Sequence, residues 1–332
     1  MSTKLGIVGA SGWAAAAHLP ALAALPEFEV AAVATTRRES ADRVAAEHGV
    51  RLAFTDAAEL VAHPEVELVV VSVRASGHAK LIRSALEHGK DVLSEWPLGV
   101  DAAESAELAG EACGVRHGVM LQGCVSPDAA FVADLVAGGR IGRLESATLV
   151  AAGDPFGGAS IPDDLAWTRE PGSGTTLLSI MAGHFLATFE RTVGRLTELS
   201  ARLPGAPDQV LVHGTLECGA AASVSVLGGS GHDSGAFFLK LVGSDGVLTV
   251  TPSGSVPFIH WSGWRIEAGG EVLAVPGAYR TVDLPTGPAA NVAALYRAFA
   301  TGRQPGFDAG ARLHGLLASI ERAAASGGRV EV

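Results

Sequence analysis

Apolar residues in the first third of the chain fall into short runs, each followed by a stretch in which apolar positions recur with helical period. Lys4 to Val8 leads into Gly9-Ala10-Ser11-Gly12-Trp13 and then alanines, the pattern of a buried strand, a tight turn and a helix start. Glu29 to Thr35 reads as a second strand, and Arg38 to Gly49 as a helix closed by glycine. The near-continuous valine and leucine of Val66 to Val73 predicts a strand buried on both faces of a parallel sheet. A helix from Ala79 to His88, a strand from Asp91 to Ser94, a helix from Asp101 to Ala112 and a strand from Val115 to Gln122 continue the alternation. Strands alternating with helices in this way predict a doubly wound parallel sheet.

The texture changes after Gln122. A helix near Asp128 to Ala137 precedes a strand that opens at Ile141 and runs to Ala152, and a Gly- and Pro-rich loop, Gly153 to Gly174, leads into a helix containing His184. Strand patterns then follow at Leu196 to Arg202, Val210 to Cys218, Ala222 to Leu227, Ala236 to Gly243, Gly246 to Thr251 and Trp264 to Ala268, joined by short Gly, Ser and Asp turns. Such a series predicts a large, mostly antiparallel open sheet, closed by helices at Asn291 to Thr301 and Ala309 to Ala325. The fold class is therefore α/β, with a doubly wound domain over residues 1–122 and an α+β domain over residues 123–332. A length of 332 residues agrees with two domains, each able to bury its own core.

Mean hydropathy is +0.31, but alanine supplies much of it, so no membrane contact is expected. The uncharged stretch from Leu5 to Pro26 is broken by Gly6, Gly9, Gly12, His18 and Pro20, which favours strand, turn and helix over a leader and a cytoplasmic location over export. A formal net charge of −11, from 24 Lys+Arg against 35 Asp+Glu, repels nucleic acid and anionic membrane and leaves a small molecule as the expected partner. The three cysteines, Cys113, Cys124 and Cys218, have no C-x-x-C spacing and predict neither a disulfide framework nor a zinc site.

The turn after the first strand could hold a diphosphate on bare backbone N–H groups. Its spacing departs from G-x-G-x-x-G by one residue, because Ser11 separates Gly9 from Gly12, with Ala15 as the third small position. The alternative is an ordinary Gly-rich turn between strand and helix. At the end of the second strand an acid would accept from the 2′-hydroxyl of NAD, whereas Thr35-Thr36-Arg37-Arg38 offers two guanidiniums to a 2′-phosphate. These residues favour NADP over NAD, unless the arginines are only a solvated helix start.

Several segments together resemble the glucose-fructose oxidoreductase, inositol dehydrogenase and MocA superfamily (Gfo/Idh/MocA). They are G-I-V-G-A-S-G-W with H-L-P-A-L (His18 to Leu22), A-L-E-H-G-K-D-V-L-S-E-W-P-L (Ala85 to Leu98), G-R-I-G-R-L (Gly139 to Leu144), G-H-F-L (Gly183 to Leu186), G-S-D-G-V-L (Gly243 to Leu248) and F-D-A-G-A-R-L-H (Phe307 to His314). The lengthened turn, Trp13 and the E-W-P triplet look most like the branch that contains the yeast galactose-regulon repressor and bacterial oxidoreductase-like relatives. The resemblance implies an N-terminal Rossmann domain, an NAD(P) cofactor and hydride transfer on sugars or related alcohols, ketones and imines.

Relative to that family the chain departs at its proton-handling positions. The family's usual E-K-P lysine, which the resemblance implies would contact the nicotinamide ribose and exchange the substrate proton, is Trp96 here. An indole N–H does not exchange a proton near neutral pH, so Trp96 cannot replace an ammonium in acid–base work. The family's aspartates before and after the histidine are Ser179 and Ala187, and an arginine position reads Cys124.

His184 remains as the candidate proton carrier, against a packing or capping role, with Tyr279 as a possible phenol donor or a packing residue. Trp96, Trp167, Cys124 and His184 are candidate substrate contacts, and the two tryptophans read equally as core aromatics. Gly9, Ser11, Gly12, Trp13, Thr35, Thr36, Arg37, Arg38, Val73, Arg74, His78, Glu95, Trp96 and Pro97 are the candidate cofactor contacts. His232-Asp233 lacks a third ligand and is not read as a metal site.

These residues support an NAD(P)-dependent oxidoreductase acting on a small carbonyl, alcohol or imine. The alternatives are an NADP-binding sensor that acts through a protein partner, and a redox-neutral enzyme that retains the nucleotide. An open sheet with one face in need of cover predicts a homodimer or homotetramer.

Overall fold

The structure, a computed structural model, describes residues 2–152, 161, 163–170, 172–205, 209–228, 237–254, 258–261, 263–280 and 287–332. It divides into two compact units. The first holds the residues up to Leu121 and takes in the later helix Pro288–Ala300.

The six strands of the first unit are β1 (Thr3–Val8), β2 (Phe28–Ala34), β3 (Leu52–Phe54), β4 (Leu68–Val71), β5 (Asp91–Ser94) and β6 (His117–Val119). All pair in parallel, in the order β3-β2-β1-β4-β5-β6. Every residue of β4 is fully buried, as its valine and leucine run requires. The helices of this unit begin with α1 (Leu19–Ala23), α2 (Arg38–His48), α3 (Ala57–Ala62), α4 (His78–Glu87) and α5 (Ala102–Glu111). Local chemistry sets their ends: Gly49 closes α2 at φ 66°, and Asp56 and Asp101 accept backbone N–H groups at the starts of α3 and α5. The order reverses between β1 and β4, and at such a switch point dinucleotides bind outside the carboxyl ends of the strands.

The second unit contains α6 (Pro127–Ala137), α7 (Gly183–Val193) and a sheet of nine strands. These are β7 (Leu144–Ala152), β8 (Leu196–Arg202), β9 (Gln209–Leu216), β10 (Ala221–Leu227), β11 (Phe237–Gly243), β12 (Gly246–Pro252), β13 (Trp264–Ala268), β14 (Glu271–Leu273) and β15 (Val330–Glu331). The order is β14-β13-β12-β11-β7-β10-β9-β8-β15, antiparallel throughout except for the β7/β10 ladder. Period-2 alternation buries one face through Leu149, Val212, Val224, Leu239, Leu241, Val250 and Ile266. The opposite face exposes Val150, Leu211, Leu227 and Phe238, with Val150 and Phe238 directly opposed across β7 and β11.

Two helices, α8 (Pro288–Ala300) and α9 (Phe307–Ser326), precede β15. The expectation of one continuous domain over residues 123–332 is corrected at α8, whose packing places it in the first unit. Its Tyr296 is fully buried against Phe28 at a ring separation of 5.4 Å, and Arg297 donates to Glu27 at 2.9 Å. Burying a large aromatic of this kind contributes about 1.5 to 3 kcal/mol, which holds the helix on β2 and α1. The segment Gln304 to Phe307 borders β6: Gln304 donates to His117 O at 2.8 Å, and Val119 N donates to Pro305 O at 2.9 Å.

Of the expected loop Gly153 to Gly174, residues 153–160, 162 and 171 lie outside the described residues, and Asp163–Arg169 is a short 3-10 helix. The expected strand Val115 to Gln122 is shorter, since Gln122–Val125 turns into a 3-10 helix.

Candidate functional site

In the first unit the glycine turn leaves β1 under tight constraint. Gly9 has φ +86°, and a Cβ on it would lie 2.0 Å from Ser72 O and 2.9 Å from a Val73 methyl. Only glycine lets β1 and the loop after β4 approach so closely. Gly12 also has positive φ, +57°, but a Cβ there would meet nothing within 4 Å. Its open side, together with the exposed Ser11, leaves room for a diphosphate on the turn. A π-helical turn, Ala14–His18, follows and runs into α1, so the one-residue departure in glycine spacing is accommodated by a widened start to the helix. The residues present thus fit a dinucleotide.

At the end of β2, Thr35 is buried and its hydroxyl donates to Arg37 O at 2.9 Å, which fixes the start of α2. Thr36, Arg37 and Arg38 are exposed. The arginines differ. Arg38 donates to Ala53 O at 2.9 Å and pairs with Asp42 one helical turn on at 3.2 Å, whereas the Arg37 guanidinium has no hydrogen bond or ion pair among the described residues. Arg38 is thus engaged by its own helix and by β3.

The carboxyl ends of β4 and β5 carry the other candidates. Both ring nitrogens of buried His78 face backbone carbonyls, Val73 O at 2.9 Å and Pro97 O at 2.8 Å. Burial holds its pKa below the ordinary histidine value, with the carbonyls and the nearby Glu95 charge opposing that shift. His78 thus ties the loop after β4 to the segment after β5, and the expected contact between its ring and a cofactor is replaced by this positioning role. Val73 flanks the glycine turn, and Arg74 is exposed at the start of the helical turn Ala75–Gly77. Glu95 retains 12% exposure and accepts Trp13 Nε1–H at 3.0 Å. Trp96 and Pro97 share a cis peptide bond, and Trp96 is only 4% exposed, so its indole packs in the core.

In the second unit His184 lies on the first turn of α7, nearly buried, with its carbonyl accepting Thr188 Oγ1–H at 2.8 Å. Its ring stacks on that of His260 at 4.3 Å with planes 5° apart, and Phe258, Phe185 and Trp261 pack around His260. Burial and the neighbouring His184 push the His260 pKa well below the ordinary value. Cys124 donates to Ala187 O at 3.6 Å, and Ser179 forms a reciprocal cap with Thr176 ahead of α7. The two positions where the resemblance implies aspartates thus serve helix packing and capping.

Tyr279 is held against α6. Its hydroxyl donates to Asp134 at 2.6 Å and its ring packs on Phe131, while the Asp134 carboxylate raises its pKa, and no described contact joins it to His184. Trp167 is half-buried in the 3-10 helix Asp163–Arg169. His232-Asp233 lies outside the described residues, and no cluster of three metal-ligating side chains occurs among the described ones. No described helix is long and apolar enough to cross a membrane. Sequence reasoning missed His260, which no local pattern marks, and gave His18 and Tyr296 no role, although His18 stands in the H-L-P-A-L motif.

Residues 3–122 match the oxidoreductase family with an NAD-binding Rossmann fold, Gfo/Idh/MocA. Residues 127–205 match the Gal80p C-terminal domain. The chain is similar to a dTDP-3,4-didehydro-2,6-dideoxy-alpha-D-glucose 3-reductase of Saccharopolyspora spinosa, at 33% identity over 60% of this chain and 58% of that one. A super-repressor mutant of Gal80p from Saccharomyces cerevisiae shares the fold at TM-score 0.88 and 19% identity, covering 100% of this chain and 98% of that one. Levoglucosan dehydrogenase, solved with NADH and L-sorbose, does so at TM-score 0.85 and 20% identity, covering 100% and 99%. The chain spans about half the length of the curated relatives it matches.

Proposed function

We propose that this chain is an NADP-using oxidoreductase that moves a hydride to or from a carbonyl, alcohol or imine carbon of a small molecule other than a typical sugar. The observation that carries the reading is the Gly9 turn, where β1 and the loop after β4 close to a distance only glycine permits and Gly12 faces open space. NADP is preferred to NAD on the strength of Arg37, exposed and uncommitted beside Thr35 and Thr36. The nucleotide, when bound, supplies the hydride chemistry. His184 is the group assigned to the substrate proton, because an imidazole can donate or accept near neutral pH and Trp96 cannot. Incubation of the protein with NADPH and a panel of carbonyl and imine compounds, followed by nucleotide absorbance, tests the reading. Tight NADPH binding with no turnover of any class would count against it.

A second reading, a nucleotide-binding regulator acting through a protein partner, is favoured by two observations. Trp96 is buried and Ser179 is spent on a cap, so the usual proton-handling set is absent, and residues 127–205 match the Gal80p C-terminal domain. Recovery of one stoichiometric partner from native extract, dependent on added NADP, supports this reading over the first. Under either, we propose a homodimer or homotetramer, supported by the apolar residues on the open face of the nine-stranded sheet. A monomeric mass by light scattering at micromolar concentration would remove that assembly.

A further inference from the structure

The first unit contains a hydrogen-bonded chain that the proposed hydride transfer leaves without a role. Tyr296 on α8 has its hydroxyl 2.7 Å from His18 Nδ1, and His18 Nε2 lies 2.5 Å from Glu95 Oε1. The same Oε1 accepts Trp13 Nε1–H at 3.0 Å. His18 and Tyr296 are completely buried.

The donors along this chain can be assigned. Burial and the Glu95 charge hold the Tyr296 pKa well above the ordinary phenol value, so the hydroxyl keeps its proton. Its hydrogen-bond partner among the described residues is His18 Nδ1. A neutral imidazole that accepts at Nδ1 carries its proton on Nε2, and that N–H donates to Glu95. Every donor then meets an acceptor, and the buried ring is held in one tautomer from both ends.

Two N–H groups converge on Oε1, while Oε2 receives no hydrogen bond from the described residues. Glu95 follows β5, in the half of the sheet that serves the second mononucleotide of a bound dinucleotide, and Trp13 links it to the phosphate turn. A carboxylate fixed in this way has a different interaction energy with the two oxidation states of a nicotinamide, since the oxidised ring is cationic and the reduced ring is neutral.

We infer that Glu95, held by Trp13 and by the His18–Tyr296 pair, makes this unit bind the oxidised dinucleotide more tightly than the reduced one. The inference rests on the nucleotide reading above. His18 and Tyr296 are positioning residues, and Glu95 is the group that discriminates. In an oxidoreductase the bias favours loading for substrate oxidation, and in a regulator it converts the ratio of oxidised to reduced cofactor into occupancy.

Calorimetric titration of the full chain with NADP+ and NADPH, and separately with NAD+ and NADH, tests it. The two pairs differ only away from the ring, so both should show the reduced form binding weaker by a factor on the order of ten, since each tenfold is about 1.4 kcal/mol. Glu95→Gln, which keeps the shape and an acceptor oxygen, should bring the ratio towards one by weakening the oxidised form, while Glu95→Asp keeps most of it. If Glu95→Gln does not fold by circular dichroism, Trp13→Phe replaces it and should lower the ratio by releasing one donor from Oε1. Equal affinity for both forms in the wild type, or a ratio unchanged by the variant, overturns the inference and leaves nucleotide binding intact. Failure of all four nucleotides to bind the wild type overturns the nucleotide reading and the inference with it.

Discussion

The imidazole rings of His184 and His260 lie parallel, 4.3 Å apart between centroids and 5° between planes. Two cations at that separation would repel in a site with little water, so the stack favours at most one charge. His260 is the more buried of the two, and its pKa is held well below the ordinary value by burial first and by His184 second. Packing of Phe258 and Phe185 on the same ring gives no compensating charge.

A dependence of stability on pH follows. Above about pH 6.5 His260 is neutral in both folded and unfolded chains; below it the unfolded chain gains a proton that the folded chain refuses. Stability is therefore complete above that value and falls as pH drops towards the folded-state pKa, by up to about 1.4 kcal/mol per pH unit for one group. His78 and His117, also lowered by burial, add in the same direction. Urea unfolding of wild type and His260→Phe between about pH 5 and 7 checks this, with a shallower fall expected in the variant. Parallel curves would show that His260 titrates alike in both states.

The two glycines of the phosphate turn should separate folding from binding. Gly9→Ala sets a methyl 2.0 Å from Ser72 O at a φ that L residues avoid, and should cost about 2 to 4 kcal/mol in urea unfolding. Gly12→Ala meets nothing within 4 Å, so its cost should stay near 1 kcal/mol from φ alone. Its methyl projects on the side proposed for the diphosphate, and nucleotide affinity should fall more than stability does. Unaltered affinity in Gly12→Ala would move the diphosphate off this turn.

The two arginines at the start of α2 should behave differently towards NADP. Arg37→Ala removes a guanidinium with no described partner and should weaken NADP by about 1.5 to 3 kcal/mol while leaving NAD unchanged. Arg38→Ala breaks an exposed ion pair and a bond to Ala53 O, which should lower stability by about 1 kcal/mol or less and shift nucleotide choice little. Fluorescence titration of both nucleotides against both variants is sufficient. Equal losses of NADP affinity would mean that Arg38 leaves Asp42 to join the phosphate.

Much of the fold is legible in residue patterns, and the failures have physical causes. Asp91–Ser94, Leu196–Arg202 and Trp264–Ala268 are strands with the expected bounds, because each joins a clear apolar pattern to flanking turn residues. The strand Leu52–Phe54 and the helix Ala57–Ala62 escape, since so few residues do not display a period. Nothing in β7 announces its parallel ladder with β10, because neighbours in a sheet are chosen by tertiary packing. At the candidate site, glycines whose φ is positive are visible as glycines, and His184 stands in a motif. His260 comes from a loop rich in Ser, Gly and Pro and meets His184 only through folding. The difference between Arg37 and Arg38 likewise depends on Asp42 and Ala53, which the local sequence does not assign.

His184→Ala tests the proton carrier directly. Loss of a general acid or base lowers kcat by about 10²- to 10⁴-fold, and NADP affinity should change little, because the glycine turn and Arg37 belong to the first unit and His184 to the second. The substitution also removes one ring of the stack, so the wild-type pH profile of kcat is needed beside it. Trp96→Lys should not yield a sugar dehydrogenase. It places an ammonium where the indole is 4% exposed, a charge that burial disfavours, while Ser179 is engaged with Thr176 and Ala187 is buried with its carbonyl accepting Cys124. Adding Ser179→Asp and Ala187→Asp supplies carboxylates, but an aspartate at the 6% exposed Ala187 must be desolvated, so the triple variant should be less stable than Trp96→Lys. Full activity of His184→Ala on any substrate turned over by the wild type would assign the proton to solvent or to the substrate and remove His184 from the chemistry.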